Sequence, residues 1–262
     1  MSNNTATSGT TSFLWDFHFN LNYECSFEDI HGPHGITLKS RVHDDGKTKI
    51  VSGFTVRVNS PTEEYAKDIA EKQAKILVDI LAVLSTTPLE YTLTGFEMYR
   101  PEGGNAIVSS LTSSYLKFGI GRPTDLNKGN YRKLIQTPQP KGNDQDLAHA
   151  MSSANAGLKA EGYKLYEVMV RDYYLVIEKA VNSGKLNQGA KYKHLRDALS
   201  HSGKLRKDTK DGLTDTNNFP QDYFDFTPYG EFDHTSNKNR QHVKDEAINL
   251  KQIASNYLKA EL

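Results

Sequence analysis

Arg196 and His201 stand five residues apart in the stretch Lys191–Lys204, KYKHLRDALSHSGK, beside Asp197. Arginine offers a permanent planar cation for phosphate, and histidine a group that titrates near neutrality. Together they are a minimal set for cutting RNA without a metal. In that chemistry a ribose 2′-OH attacks its own phosphorus. The site must take the proton, offset charge on the phosphoryl oxygens and hold the leaving oxygen. His201 suits the proton transfer and Arg196 the phosphate, with Asp197 orienting one of them or fixing the helix end. The same residues have a plainer use, because cations near a helix C-terminus complement the helix dipole.

The element that must position this pair is a helix. Tyr192, Leu195 and Leu199 recur on one helical face, and Gly203 is the usual residue for a left-handed stop. Five residues of unbroken α-helix separate Arg196 and His201 by about 140° around the axis. The two converge within one chain only if the helix ends or tightens near Ser200, which the following Ser-Gly allows. Lys191, Lys193, His194, Lys204, Arg206 and Lys207 form a basic run around the pair, suited to an RNA backbone or to a solvated helix end.

"LRDALSHSG" resembles the R-x4-6-H signature of the HEPN superfamily, in which a polar residue often follows the arginine, as Asp197 does here. The preceding aromatic stretch, "YKLYEVMVRDYYLVIEKAV", is similar to the helix that packs beside the motif helix in such domains. The likeness covers roughly residues 145 to 262, and the whole layout is similar to the MauJ and ApeA-like branch. It implies a metal-independent endoribonuclease, a hydrolase of antiviral defence or toxin–antitoxin type, with Arg196, His201 and Asp197 in the site. It also implies a homodimer through the HEPN domain, RNA as the partner and an antitoxin or sensor protein as a further one. No cofactor and no metal are implied. Many HEPN domains are not nucleases, so the likeness equally allows a non-catalytic module that binds RNA, a nucleotide or a partner protein.

Elsewhere the chain offers little chemistry. His31 and His34 in a Gly-Pro turn, with His43 and Asp44, lack the fixed helical spacing of a metal site. Gly119-Ile-Gly-Arg-Pro lacks the strand–loop–helix setting of a phosphate loop. Cys25 has no basic neighbour, so it reads as a small half-buried residue, and a single cysteine fits a reducing cytoplasm. With Lys+Arg 32 against Asp+Glu 32 there is no global basic field, so any nucleic-acid site is a local patch. No apolar stretch approaches the roughly 20 residues that span a bilayer, so no membrane partner is expected.

The pattern predicts an α+β chain. Residues 1–12 read as a disordered tail without signal-peptide character. Residues 13–118 read as an antiparallel sheet with one long helix. Phe13 to Tyr23 alternates with aromatics on one face and His18 on the other. Further strands are expected over Gly35–Val42, Lys49–Val58, Tyr91–Met98 and Ala106–Leu116, the first two joined by an Asp-Gly turn. Ser60-Pro61-Thr62-Glu63 reads as a capping box opening a helix over Pro61–Leu84. Residues 119–143, rich in Gly, Pro, Asn and Lys, read as the linker to an all-α domain over 144–262. Its helices are expected at Gln145–Ala156, Lys159–Asn182, Gln188–Ser200 and Asn237–Ala260, the second apolar on most sides and therefore central. The aromatic loop between the last two could cover the motif, stack on bases or staple the bundle.

Overall fold

A computed structural model describes residues 12–99, 117–121, 124–137, 139–189, 191–201, 219, 223–228 and 232–262. The side chains of 117–121, 189 and 201 are outside that description. The chain is mixed α+β. Its strands are β1 (Phe13–Phe27), β2 (Ile30–His31), β3 (Ile36–Val42), β4 (Lys49–Ser60), β5 (Tyr91–Tyr99), β6 (Lys117–Gly121) and β7 (Thr124–Asp125). Its α-helices are α1 (Glu63–Ser85), α2 (Gly129–Gln136), α3 (Asn143–Gly162), α4 (Tyr166–Asn182), α5 (Lys191–His201) and α6 (Asn237–Glu261). The chain divides into two units. Met1–Val78 with Glu90–Gln139 form the first, and Asp79–Leu89 with Pro140–Leu262 the second.

In the first unit the sheet order is β3-β4-β1-β5, antiparallel throughout, with the short β6 added parallel to the end of β1. The aromatic alternation of β1 sends Trp15, Phe17, Phe19 and Leu21 into the core, where Phe54, Val56, Ala66, Ala70, Ala74 and Leu77 are also buried. Asp45 makes the β3–β4 turn. Its carboxylate accepts the Thr48 hydroxyl and the Lys47 and Thr48 amides, which hold its pKa down to about 2. Helix α1 begins two residues later than the Ser-Pro box suggests. Ser60 is the last residue of β4, and Thr62 caps the helix instead, its Oγ1 accepting the Tyr65 amide at 3.4 Å.

The stretch read as a linker contains β7 and α2, both in the first unit. Leu126, Leu134 and Ile135 are fully buried there, and two of them, Leu134 and Ile135, seat the short helix among Gly, Asn and Lys. The strand expected over Ala106–Leu116 and the tail over residues 1–11 lie outside the described residues.

In the second unit α4 packs against α3, α5 and α6. Met169, Val170, Tyr173, Tyr174, Val176 and Ile177 are buried, which leaves little of its circumference to solvent. Asn155 of α3 ties the Asp79–Leu89 segment to this bundle. Its Nδ2 donates to Asp79 Oδ1 at 2.9 Å and to the Leu89 carbonyl at 3.0 Å, and its Oδ1 accepts the Leu89 amide at 3.1 Å. Asn239, fully buried at the start of α6, holds the preceding loop in the same manner, through the amide and carbonyl of Asp225 and the carbonyl of Asp233.

Helix α3 runs through the expected break at Ala156 to Gly162. Gly157 is a packing residue rather than a stop, because a Cβ there would lie 2.8 Å from the Tyr173 ring. The stop comes at Lys164, with φ 59°. The Lys164 amide bonds the Glu161 carbonyl and the Leu165 amide the Ala160 carbonyl, the paired bonds that close a helix in a left-handed turn. Among the described residues no helix is long and apolar enough to cross a membrane.

Two substitutions test this packing by thermal or denaturant unfolding. Gly157→Ala should lower stability by about 1 kcal/mol or more, since overpacking against Tyr173 outweighs the gain in helix propensity. Lys164→Gly should raise it by about 1 kcal/mol by relieving the left-handed backbone.

Candidate functional site

Helix α5 is seated by Tyr192, Leu195 and Ala198, all buried, on the bundle side. Its N-terminal end is fixed by a carboxylate from α6. Glu246, 5% exposed, accepts from Lys191 Nζ at 2.8 Å, from the Tyr192 hydroxyl at 2.8 Å and from the Tyr223 hydroxyl at 3.0 Å. Burial pushes the Glu246 pKa up, but these donors and the Lys191 charge outweigh it and leave the carboxyl below its ordinary value. Burial, followed by the Glu246 charge, holds the Tyr192 phenol well above its ordinary value.

The aromatic loop closes over this end. Lys191 Nζ lies 4.9 Å from the Tyr192 ring centroid and 4.8 Å from that of Phe219. Phe219, Tyr223 and Phe224 contact one another, Phe232 packs on Phe224, and the His242 ring of α6 stacks on Tyr223 at 3.8 Å. Of the three uses open to this loop, its described aromatics serve the third: they staple it to α5 and α6.

Toward the other end of α5, Arg196 is 20% exposed and enclosed by three side chains. Its Nη1 donates to Glu178 Oε1 of α4 at 3.3 Å. Its Nε lies 2.8 Å from Asp197 Oδ1, close enough for an ion pair but off the angle of a hydrogen bond. Its Cζ sits 4.8 Å from the Tyr174 ring centroid. Tyr174 and Glu178 are one turn apart on α4, so a single helical face presents both to the guanidinium. Burial first, then the Glu178 charge, hold the Tyr174 phenol above its ordinary value.

Helix α5 does not stop short of Ser200. It runs through His201 as its last residue, so five helical steps turn about 140° around the axis from Arg196. The His201 side chain lies outside the described residues, as do Lys204, Arg206 and Lys207. Asp197 is thus brought against Arg196. Of the basic run, Lys193 is exposed, His194 is half-buried, and Lys191 is turned into the Glu246 cluster. The three side chains that hold this site in place, Tyr174, Glu178 and Glu246, are not singled out by the sequence pattern. A tyrosine and a glutamate one turn apart on α4 are the only trace Tyr174 and Glu178 leave.

Among the described residues no three His, Cys, Asp or Glu side chains gather as metal ligands. His31 pairs with Asp29 at 3.0 Å and His43 lies 3.9 Å from Asp45. Cys25 is fully buried, and burial raises its thiol pKa to about 12, which leaves it protonated at neutral pH.

No family model, no curated protein and no solved structure matches this chain.

The Glu246 cluster sets a pH dependence. A carboxylate whose folded pKa is depressed contributes stability above its unfolded pKa and loses it as pH falls through the folded one. Acid unfolding should therefore include a component from Glu246 below the ordinary glutamate range. Glu246→Gln should cost about 1–3 kcal/mol at neutral pH and flatten that acid limb, as read by denaturant midpoints across pH.

Proposed function

We propose that the chain is a metal-independent endoribonuclease resembling the HEPN type, with α5 as its working helix. The observation that carries this reading is the fixing of Arg196. A planar cation next to the motif's polar residue, five residues before a histidine at the helix end, is set by Glu178, Asp197 and the Tyr174 ring. A guanidinium held in one orientation contacts a phosphate with little further loss of side-chain freedom.

In the proposed reaction the O2′–P bond forms and the P–O5′ bond breaks. The 2′-OH proton passes to the His201 imidazole, and the 5′ oxygen leaves as a hydroxyl after receiving a proton from a protonated imidazole or from water. The products are a 2′,3′-cyclic phosphate and a 5′-OH. Arg196 offsets charge on the non-bridging oxygens. Asp197 is a positioning residue for Arg196. Because α5 separates Arg196 from His201 around its axis, the pair works best across two protomers, each bringing its Arg and His to a shared site, as the HEPN likeness implies. Lys193, His194, Lys204, Arg206 and Lys207 would lead the RNA backbone to it. Such a nuclease belongs in a cytoplasmic defence or toxin–antitoxin setting.

A second reading has its own observation. Arg196 already faces two carboxylates inside its own chain, so a phosphate must compete with Glu178 and Asp197. A HEPN-like module whose arginine is purely structural would look the same, and it would bind RNA, a nucleotide or a partner protein without cutting.

Incubation of purified protein with RNA in EDTA separates the two. The nuclease reading expects cleavage by wild type and a loss of at least about a hundredfold in both Arg196→Ala and His201→Ala. Equal activity in all three places the activity elsewhere. Binding without cleavage by wild type selects the second reading.

A further inference from the structure

The first unit carries a second constellation, on the sheet face opposite the aromatic core. Asp16 of β1 stands across from Arg57 of β4 on one side and Glu97 of β5 on the other. Asp16 is 5% exposed, and both its oxygens are taken by Arg57. Nε donates to Oδ1 at 2.7 Å and Nη2 to Oδ2 at 2.6 Å. Those bonds raise the Arg57 pKa above its ordinary value. Glu97 is occupied as well. It accepts the Tyr99 hydroxyl and lies 3.4 Å from His18 Nε2, while His18 Nδ1 lies 2.9 Å from Thr55 Oγ1.

The fork to Asp16 uses one edge of the guanidinium. The side chain of Arg57 remains 54% exposed and borders a cavity of about 520 Å³. The same cavity is walled by the hydroxyl residues Thr37 and Thr55 and the amide residues Asn59 and Gln136. Asp16 and Arg57 offset one another as a pair, so what the wall offers an oxyanion is the outer N–H edge of the guanidinium, with His34 also in the lining.

We propose that this cavity binds a small molecule through an oxyanion, a phosphate or a carboxylate, seated on the outer edge of Arg57. Thr37 and the Asn59 amide meet the hydroxyl or amide groups of the same ligand, while Thr55 is held by His18 and Gln136 by Arg132 and the His34 carbonyl. An arginine clamped by a buried aspartate is a pre-ordered, planar pair of donors that matches two oxygens of such a group. A cation is disfavoured, because both Asp16 oxygens already accept from Arg57. This site is independent of the α5 chemistry.

Titration calorimetry of the full chain, with inorganic phosphate and separately with malonate, tests the proposal and distinguishes the two oxyanions. Wild type should bind one of them saturably at a single site. Arg57→Gln should weaken that binding about tenfold or more. Thr37→Asp, an exposed edge-strand change that brings a negative charge to the cavity wall, should weaken it comparably and decides the matter if Arg57→Gln fails to fold. Absence of saturable binding of both anions to wild type, or wild-type affinity in the folded variants, overturns the proposal.

Discussion

Helix α4 is surrounded by protein on most sides, and that burial governs what α5 can present. A helix packed against α3, α5 and α6 has little freedom to rotate or slide. It carries Tyr174 and Glu178 on one face, and through them it fixes Arg196. The far end of α5 is fixed separately by Glu246 of α6, which draws Lys191, Tyr192 and Tyr223 onto one carboxylate. Helix α5 is thus held at two points, one salt-linked and half open, the other buried and closed by aromatics. The electrostatics differ to match. At Glu246 donors surround one carboxylate and lower its pKa, whereas at Arg196 two carboxylates face one cation. The first arrangement stabilises. The second keeps an arginine oriented while leaving it exchangeable, because Glu178 and Asp197 are both partly exposed.

The first unit solves a related problem on a sheet. Its aromatic face is buried, and its opposite face brings charged and hydroxyl side chains into register across β4, β1 and β5. Each carboxylate in that row has a donor partner, Asp16 through the Arg57 fork and Glu97 through the Tyr99 hydroxyl. In both units, then, an arginine is ordered by a carboxylate, and the ordering residue sits on a neighbouring strand or helix distant in sequence.

That distance explains what the sequence makes legible and what it hides. The alternation of Phe13–Tyr23, the Asp-Gly turn and the apolar stripe of α1 are local signals, and each element forms where its period says. Stops that depend on a non-glycine residue adopting a left-handed turn, as Lys164 does, leave no such trace. Gly157 misleads in the opposite direction, because its small size serves the Tyr173 ring across the bundle. Helix α2 is hidden by linker-like composition, since two buried apolar residues suffice for a short amphipathic helix. For the site, the motif residues Arg196 and Asp197 are visible as types and spacing. Their partner Glu178 is 18 positions away from Arg196, and the Asp16–Arg57 pair spans 41 positions. Only the packing of helices or the register of strands brings such residues together.

The proposed reaction is the attack of a 2′-OH on phosphorus at a site built on α5. A strand of DNA carrying one ribonucleotide tests it most directly, incubated with wild-type protein in EDTA and read by product mass. The account predicts a single cut on the 3′ side of the ribose, leaving a 2′,3′-cyclic phosphate, and no cut in the all-deoxy strand. Cleavage at deoxy positions, or an intact chimeric strand under conditions where RNA is cut, would contradict it.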